Sequence, residues 1–545
     1  MRDFSKIGQR KFDSGDPLYR GKLWVRITTH DSEYWHLFWR RIAIVLAALA
    51  VCGWLATAGG LWMFVKYQRG YAAVSYLDLI FYPLRAQHYR TGLGRHYLAL
   101  GHAELEAKNY LNGYRWLRAG LDRVPDDVEA RRQVAELQVQ FGQAELALKT
   151  LTAGPSLAKA DLGYLRVLFA LLFETHNAER ALAIAGTILP AKPDAILTHQ
   201  FIALQSATAH FNKGDYDHAE NLLHEWRLTD SLEGEILLAK CDWERGYPEL
   251  ALARLENELP RFHQRDELYL QLVRLHLALG HTAEARRMSL LRQFNDPASP
   301  GPRIDLLSSY HATGNRVAEI RELAAYVADF KSDPKALLLL AEFSVDTAQP
   351  TLASQVRDLA AAQKFALMPF NLARIQAALA VKDYRTADTL AGTALREDRN
   401  VNPTYTATLH CQRAVALFGL NETAEAKLTL TAFLNQSQLR GAAARLLAKQ
   451  LRLLGAVSSA REVLERAWVI EPLNQSVLTE LIRFDIESVN RPMLAQNLPK
   501  LLQAMKPSRE VLQKALLRLD QPDDASLRAQ TRAALVRVTA QPAPN

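Results

Sequence analysis

SLEGEILLAKCDWERGYPELALARLENELP, residues 231–260, holds two apolar stripes separated by a glycine. Ile236, Leu237 and Ala239 lie at helical spacing, and Leu250, Ala251 and Leu255 resume that spacing after Gly246. These offsets describe two amphipathic helices, not strands. Lacking a Cβ, Gly246 can end the first helix in the left-handed conformation. The arrangement recurs in both directions. From Ala251 the small-residue position steps back through Ala219, Ala181, Ala147 and Gly113, and forward through Ala285, Ala353, Ala387, Ala426 and Ala460. Glu319 stands where the step between Ala285 and Ala353 expects an alanine, and most steps are 34 residues long. A glycine sits five residues earlier in six units, at Gly142, Gly214, Gly246, Gly280, Gly314 and Gly455. A proline follows twelve residues later at Pro125, Pro193, Pro297 and Pro472, where it is expected to open the next helix.

Two helices of about 12–14 residues and two short turns add up to this period, which marks a helix–turn–helix solenoid. The alanine belongs where the second helix crosses its neighbours, since a larger side chain would overpack the crossing. Tyr97, Leu100, Gly101, Leu117 and Pro125 make up one copy of a pattern, and Ala448, Gly455, Ala460, Leu464, Ala467 and Pro472 another. On these residues the chain resembles the tetratricopeptide repeat (TPR) family over residues 87–508. The resemblance implies an all-α, right-handed superhelical solenoid of about 11–12 repeats. Residues 509–545 are read as capping helices and a tail. The weakest copies lie at 300–334 and 475–508, where Glu319 and Leu494 replace the small residue.

At 545 residues the chain exceeds a single compact core, but repeats escape that limit by burying each apolar face on a neighbour. The net charge of +8 is carried mostly by residues 1–86, with 12 Lys/Arg against 6 Asp/Glu. The repeats are nearly neutral and lack the broad basic field of a nucleic-acid binder. Cys52, Cys241 and Cys411 are far apart and form no CxxC pair, so neither a disulfide framework nor a zinc knuckle follows.

Ile42 through Val65 is a run of 24 uncharged residues. At 1.5 Å per residue it spans about 36 Å, more than the roughly 30 Å of a hydrocarbon core. Trp35, Phe38 and Trp39 precede it, and Trp62, Phe64, Tyr67 and Tyr71 border its other end, as interfacial belts do. A single transmembrane helix at 42–65 is the reading, after a basic tail at 1–41 and before an interfacial or connecting helix at 66–86. Arg40 and Arg41 abut the segment and the tail holds nine basic residues. The positive-inside rule therefore places the tail in the cytoplasm and the repeats in the periplasm of a bacterial inner membrane; the reverse orientation leaves them cytoplasmic. Gly53, Ala56, Thr57 and Gly60 give the helix a face on which two copies can self-associate.

No catalytic constellation emerges. The 15 histidines never fall at i,i+3 or i,i+4, and there is no GxSxG elbow, phosphate loop or dinucleotide glycine fingerprint. The expectation is a non-enzyme without cofactor or metal. The resemblance implies a concave groove lined by the first helices, with Phe201, Leu204, Phe211, Ile236, Lys240 and Trp243 as a candidate peptide groove. The corresponding positions near the other end give Arg445, Lys449, Arg452 and Arg483, a candidate anion or carboxylate ridge. Three cations on one helical face repel one another, and helix 442–454 contains no acid to offset them. The functional reading is a membrane-anchored scaffold or adaptor that organises protein partners in the cell envelope, during assembly or secretion. Its alternatives are an obligate structural subunit of a membrane complex and, more remotely, the carrier subunit of a separately encoded enzyme.

Overall fold

The structure, a computed structural model, describes residues 21, 23–29, 32–153, 161–397, 403–436 and 439–540. These fall into two compact units, Met1–Leu171 and Leu172–Asn545. Within the expected basic tail, strands Trp24–Thr29 and Ser32–Leu37 pair antiparallel, with Trp24 opposite Leu37 and Thr29 opposite Ser32. Both segments are rich in β-branched and aromatic residues, which favour a pleated surface over an unstructured tail.

A continuous helical stretch follows over Trp39–Gln68, long and apolar enough to cross a membrane. Its last turn, Phe64–Gln68, is π-helical. Gly70 at φ 68° then lets the chain reverse, so residues 66–86 do not form one connecting helix. Residues 71–80 instead fold back along the apolar helix, with a single short helix at Tyr76–Ile80. Trp62 donates its indole N–H to the Val74 carbonyl at 3.1 Å, and Trp54 donates to the Ile80 carbonyl at 2.9 Å. Ala58, Val65, Val74 and Leu79 form a small apolar core between the two legs.

Among the described residues, twelve pairs of consecutive helices run along the chain from Tyr82 to Leu502, among them the hairpin Leu232–Glu244 with Pro248–Asn257. The weak copies are hairpins too, Pro300–Ala312 with Arg316–Phe330 and Gln475–Glu487 with Arg491–Leu502. Helices Arg509–Leu516 and Ala525–Ala540 close the C-terminal end. The nine alanines of the 34-residue series are all at most 1% exposed. At Gly113 an added Cβ would lie 2.6 Å from Leu105 Cδ2, so alanine there would require the leucine side chain to shift. Glu319 is buried at its crossing because its carboxylate is satisfied. It accepts from His311 Nδ1 at 3.0 Å, Gln349 Nε2 at 3.1 Å and Arg316 Nη1 at 3.0 Å.

Five residues before each crossing position the backbone is left-handed in all twelve turns. Six turns use the glycines noted above, at φ 71–88°; the others use Lys108, His176, Ala348, Lys382, Asn421 and Val489 at φ 52–64°. The left-handed residue is thus a feature of the hairpin, and glycine is its low-strain filling. The four periodic prolines do not open helices as expected. Pro125, Pro193, Pro297 and Pro472 sit in the connections, three or four residues ahead of the next helix. The first helical position is instead taken by Pro248, Pro300, Pro334 and Pro350. A proline in the connection stops the preceding helix rather than starting the next.

Candidate functional site

The unit Leu172–Asn545 returns to itself. The Gln475 N–H donates to the Gly214 carbonyl at 3.0 Å. The Tyr247 hydroxyl donates to the Pro507 carbonyl at 2.9 Å, and the Tyr216 and Ser476 hydroxyls share a hydrogen bond, both across 260 residues. Arg440 Nη1 donates to the His176 carbonyl at 2.6 Å. A separation of 260 residues is between seven and eight 34-residue units, so hairpin turns of the early repeats meet the connections of repeats one superhelical turn later. We call this line of contact the seam.

The seam carries buried charge. The Arg245 side chain, 1% exposed, donates to Glu220 at 2.6 Å and to Asp217 at 2.8 Å. Lys506 pairs with Glu220 at 2.5 Å, and the Met505 N–H donates to Asp217 Oδ2 at 2.6 Å. Burial acts to raise the Glu220 carboxyl, but the Arg245 and Lys506 cations outweigh it and hold the group below its ordinary range. Burial, and after it the nearby Glu244 carboxylate, push the Tyr216 phenol well up, so it remains a neutral hydrogen-bonding group.

Beside the seam lies a cavity of about 380 Å³ between helices Leu197–Asn212, Leu232–Glu244 and Asp266–Leu279. Its apolar wall includes Phe211, Ile236, Trp243, Leu255 and Leu275, while Lys240, Arg274 and Glu244 supply charge. Four of the six groove candidates, Phe211, Ile236, Lys240 and Trp243, therefore line one cavity. Leu204 packs instead with Leu223 and Trp226 in the neighbouring core, and Phe201 is half-buried outside the cavity wall. Lys240 and Arg274 are exposed and make no hydrogen bond or ion pair with other described residues.

The ridge is brought next to that cavity. Arg445 and Arg483 line a smaller pocket that also includes Trp243 and Glu244, so both candidate sites share one border. The acids missing from helix 442–454 come from elsewhere. Arg445 pairs with Glu244 at 2.6 Å from 201 residues away, and Arg452 pairs with Glu487 at 3.0 Å. Arg483 pairs with Glu480 at 2.6 Å and Glu510 at 2.9 Å. Lys449 is exposed and has no ion pair among the described residues. The repulsion along the ridge is thus offset within the chain, and it no longer requires an external anion.

Sequence periodicity could not reveal the seam. Asp217, Glu220, Arg245 and Lys506 look like ordinary charged positions along their helices and connections. The only hint was that Gly214 lies at the left-handed position of its turn, which says nothing of what approaches it. Added at Gly214, a Cβ would lie 2.2 Å from Asn474 Oδ1 and 2.8 Å from Asn474 Cα.

No family model matches the chain, and no curated protein matches it. Among solved structures it is similar to the crystal structure of yeast Tom70, at 12% identity and a TM-score of 0.35, covering 76% of this chain and 97% of that one. It is also similar to the Cut9–Hcn1 hetero-tetramer of APC/C, at 12% identity and a TM-score of 0.26, covering 81% of this chain and 96% of that one.

Proposed function

We propose that this helical-repeat chain is a membrane-anchored, non-enzymatic scaffold whose cavity beside the seam receives an acidic, apolar segment of a partner protein. The observation that carries the reading is the pairing of an aromatic wall, Phe211 and Trp243, with two cations, Lys240 and Arg274, that make no hydrogen bond or close ion pair among the described residues. An apolar side chain gains from leaving water in such a cavity, and a neighbouring carboxylate gains from the cations at its rim. Neither group serves the fold's own ion pairs, unlike Arg445, Arg452 and Arg483. The anchor is the apolar helix over 42–65, and self-association through Gly53 and Gly60 belongs to the same reading, since a Cβ added at either would meet nothing within 4 Å. We place the repeats in the bacterial periplasm. An alkaline phosphatase fusion after Pro83 is then active and a green fluorescent protein fusion there dark; the opposite pattern overturns the orientation.

The test of the cavity is affinity purification of the full chain in mild detergent, wild type against a Lys240→Glu/Arg274→Glu variant. Specific partners should be lost from the variant while its melting temperature holds. An identical partner set rejects the cavity as the binding site. A second reading, an obligate structural subunit, is favoured by the exposure of Phe294 (85%), Val317 (82%) and Ile320 (66%), large apolar side chains on second helices of successive hairpins. That reading expects a fixed-stoichiometry assembly on sizing after gentle extraction, where the scaffold yields a separable chain.

A further inference from the structure

Helix Leu197–Asn212 ends and helix Tyr216–Glu225 begins around the left-handed turn at Gly214. The turn brings His210, Asp215 and His218 together. Asp215 and His218 are i,i+3 neighbours at the start of one helix, but His210 joins them only across the reversal. Asp215 Oδ2 is 3.1 Å from His210 Nδ1, and Asp215 Oδ1 is 2.9 Å from His218 Nδ1. The two imidazoles stack with centroids 5.2 Å apart and planes 17° apart. One ligand atom from each residue can be chosen so that all three lie within 4.8 Å of one another.

We propose that His210, Asp215 and His218 form a binding site for a divalent transition ion of the zinc class. Asp215 supplies a separate argument. It is the N-cap of its helix, where an aspartate ordinarily accepts from a backbone N–H two or three residues on. Asp127, Asn315 and Asn474 do this at their helices, whereas the Asp215 side chain, like those of Asn109 and Asn177, makes no capping bond. Its two oxygens are turned instead to the two imidazoles, one each, although Asp215 is itself only 6% exposed. The carboxylate that could cap the helix faces two imidazole nitrogens instead.

The donor set suits such an ion. Two imidazole nitrogens and a carboxylate oxygen are ligands for zinc, cobalt, nickel or copper rather than for magnesium or calcium. With metal–ligand bonds of about 2.0–2.2 Å, neighbouring ligands around a tetrahedral ion lie roughly 3.3–3.5 Å apart. Each imidazole is already close to that range from one carboxylate oxygen, His210 from Oδ2 and His218 from Oδ1, so an ion held by a single oxygen needs one of the two to move. The remaining span closes by rotation of His218, whose side chain is 68% exposed. The same exposure leaves the fourth position to water. A bound ion ties the end of one helix to the start of the next, at the turn whose Gly214 and Tyr216 make seam contacts.

The experiment uses the full chain in detergent and Co²⁺ as the probe. Wild type should take up one cobalt per chain with the visible absorption of a tetrahedral site, and Zn²⁺ should displace it. His218→Ala and His218→Gln should each weaken uptake by more than about 100-fold, since even supporting groups around a metal are worth 10–100-fold. His224→Ala removes an exposed histidine from the same helix and should leave uptake unchanged. Absence of cobalt uptake by wild type overturns the proposal, as does equal uptake by wild type and a His210→Ala/His218→Ala variant.

Discussion

Replacing Gly214 with alanine separates two costs that coincide at this residue. The first is conformational: φ is 72°, and a left-handed alanine is disfavoured by about 1–2 kcal/mol. Gly280 and Gly455, at φ 79° and 76° in the same unit, carry this cost alone, since a Cβ at either would meet nothing within 4 Å. The second cost exists only if the superhelix closes. At Gly214 the new methyl would lie 2.2 Å from Asn474 Oδ1 and 2.8 Å from Asn474 Cα. Asn474 is 3% exposed and caps its own helix at Val477 N, so it cannot simply turn aside. Overpacking of this kind costs typically about 1–3 kcal/mol, or roughly five- to 150-fold in the opening equilibrium of the contact. Hydrogen exchange followed by mass spectrometry reads that opening directly, because the Gln475 amide donates across the seam to the Gly214 carbonyl. Gly214→Ala should speed exchange in peptides covering 475 and 505, whereas Gly280→Ala and Gly455→Ala should leave those peptides protected. Equal exchange at 475 in all three variants would refute the closed superhelix, whatever their effect on overall stability.

Other perturbations test the hairpins and the seam charges. Val489 is a β-branched residue at φ 55° and 53% exposed, so Val489→Gly relieves backbone strain and loses little packing. It should raise the unfolding midpoint by an amount worth about 0.5–1 kcal/mol, and a lowered midpoint counts against the strain. Ala251→Trp inserts a large side chain at a fully buried crossing and should cost at least about 1–3 kcal/mol in denaturant unfolding; a neutral result would mean that the crossing is loose. The Glu220 carboxyl is held below its ordinary value of 4.5, so its stabilising effect is full above that pH and is lost as pH falls through the folded-state value. Glu220→Gln should therefore be less stable than wild type near neutrality, with the gap narrowing below about pH 4.5; a gap that is constant with pH would show that the charge is not what matters.

The repeat architecture was legible in the sequence because its determinants are local. A helical hairpin is set by apolar periodicity, a small residue at the crossing and a left-handed residue in the turn, all within about 34 residues of chain. Where other chemistry fills one of these roles, the signal fades although the hairpin remains. Glu319 replaces alanine because His311, Arg316 and Gln349 satisfy its carboxylate, and Val489 replaces glycine at the cost of strain. The apolar stretch at 42–65 was equally plain, but the fold-back of residues 71–80 upon it was not, since that depends on where the Trp54 and Trp62 indoles find acceptors.

What belongs to the tertiary structure alone is everything that joins distant repeats. Each hairpin contributes a small rotation to the superhelix, and only their accumulation over 260 residues decides whether Tyr216 meets Ser476 or faces water. The same accumulation places Glu244 against Arg445, which neutralises a ridge that appears uncompensated in its own helix. Sequence periodicity identifies which face of a helix is apolar; it carries no record of which charge on the opposite face will be met by a partner one superhelical turn away.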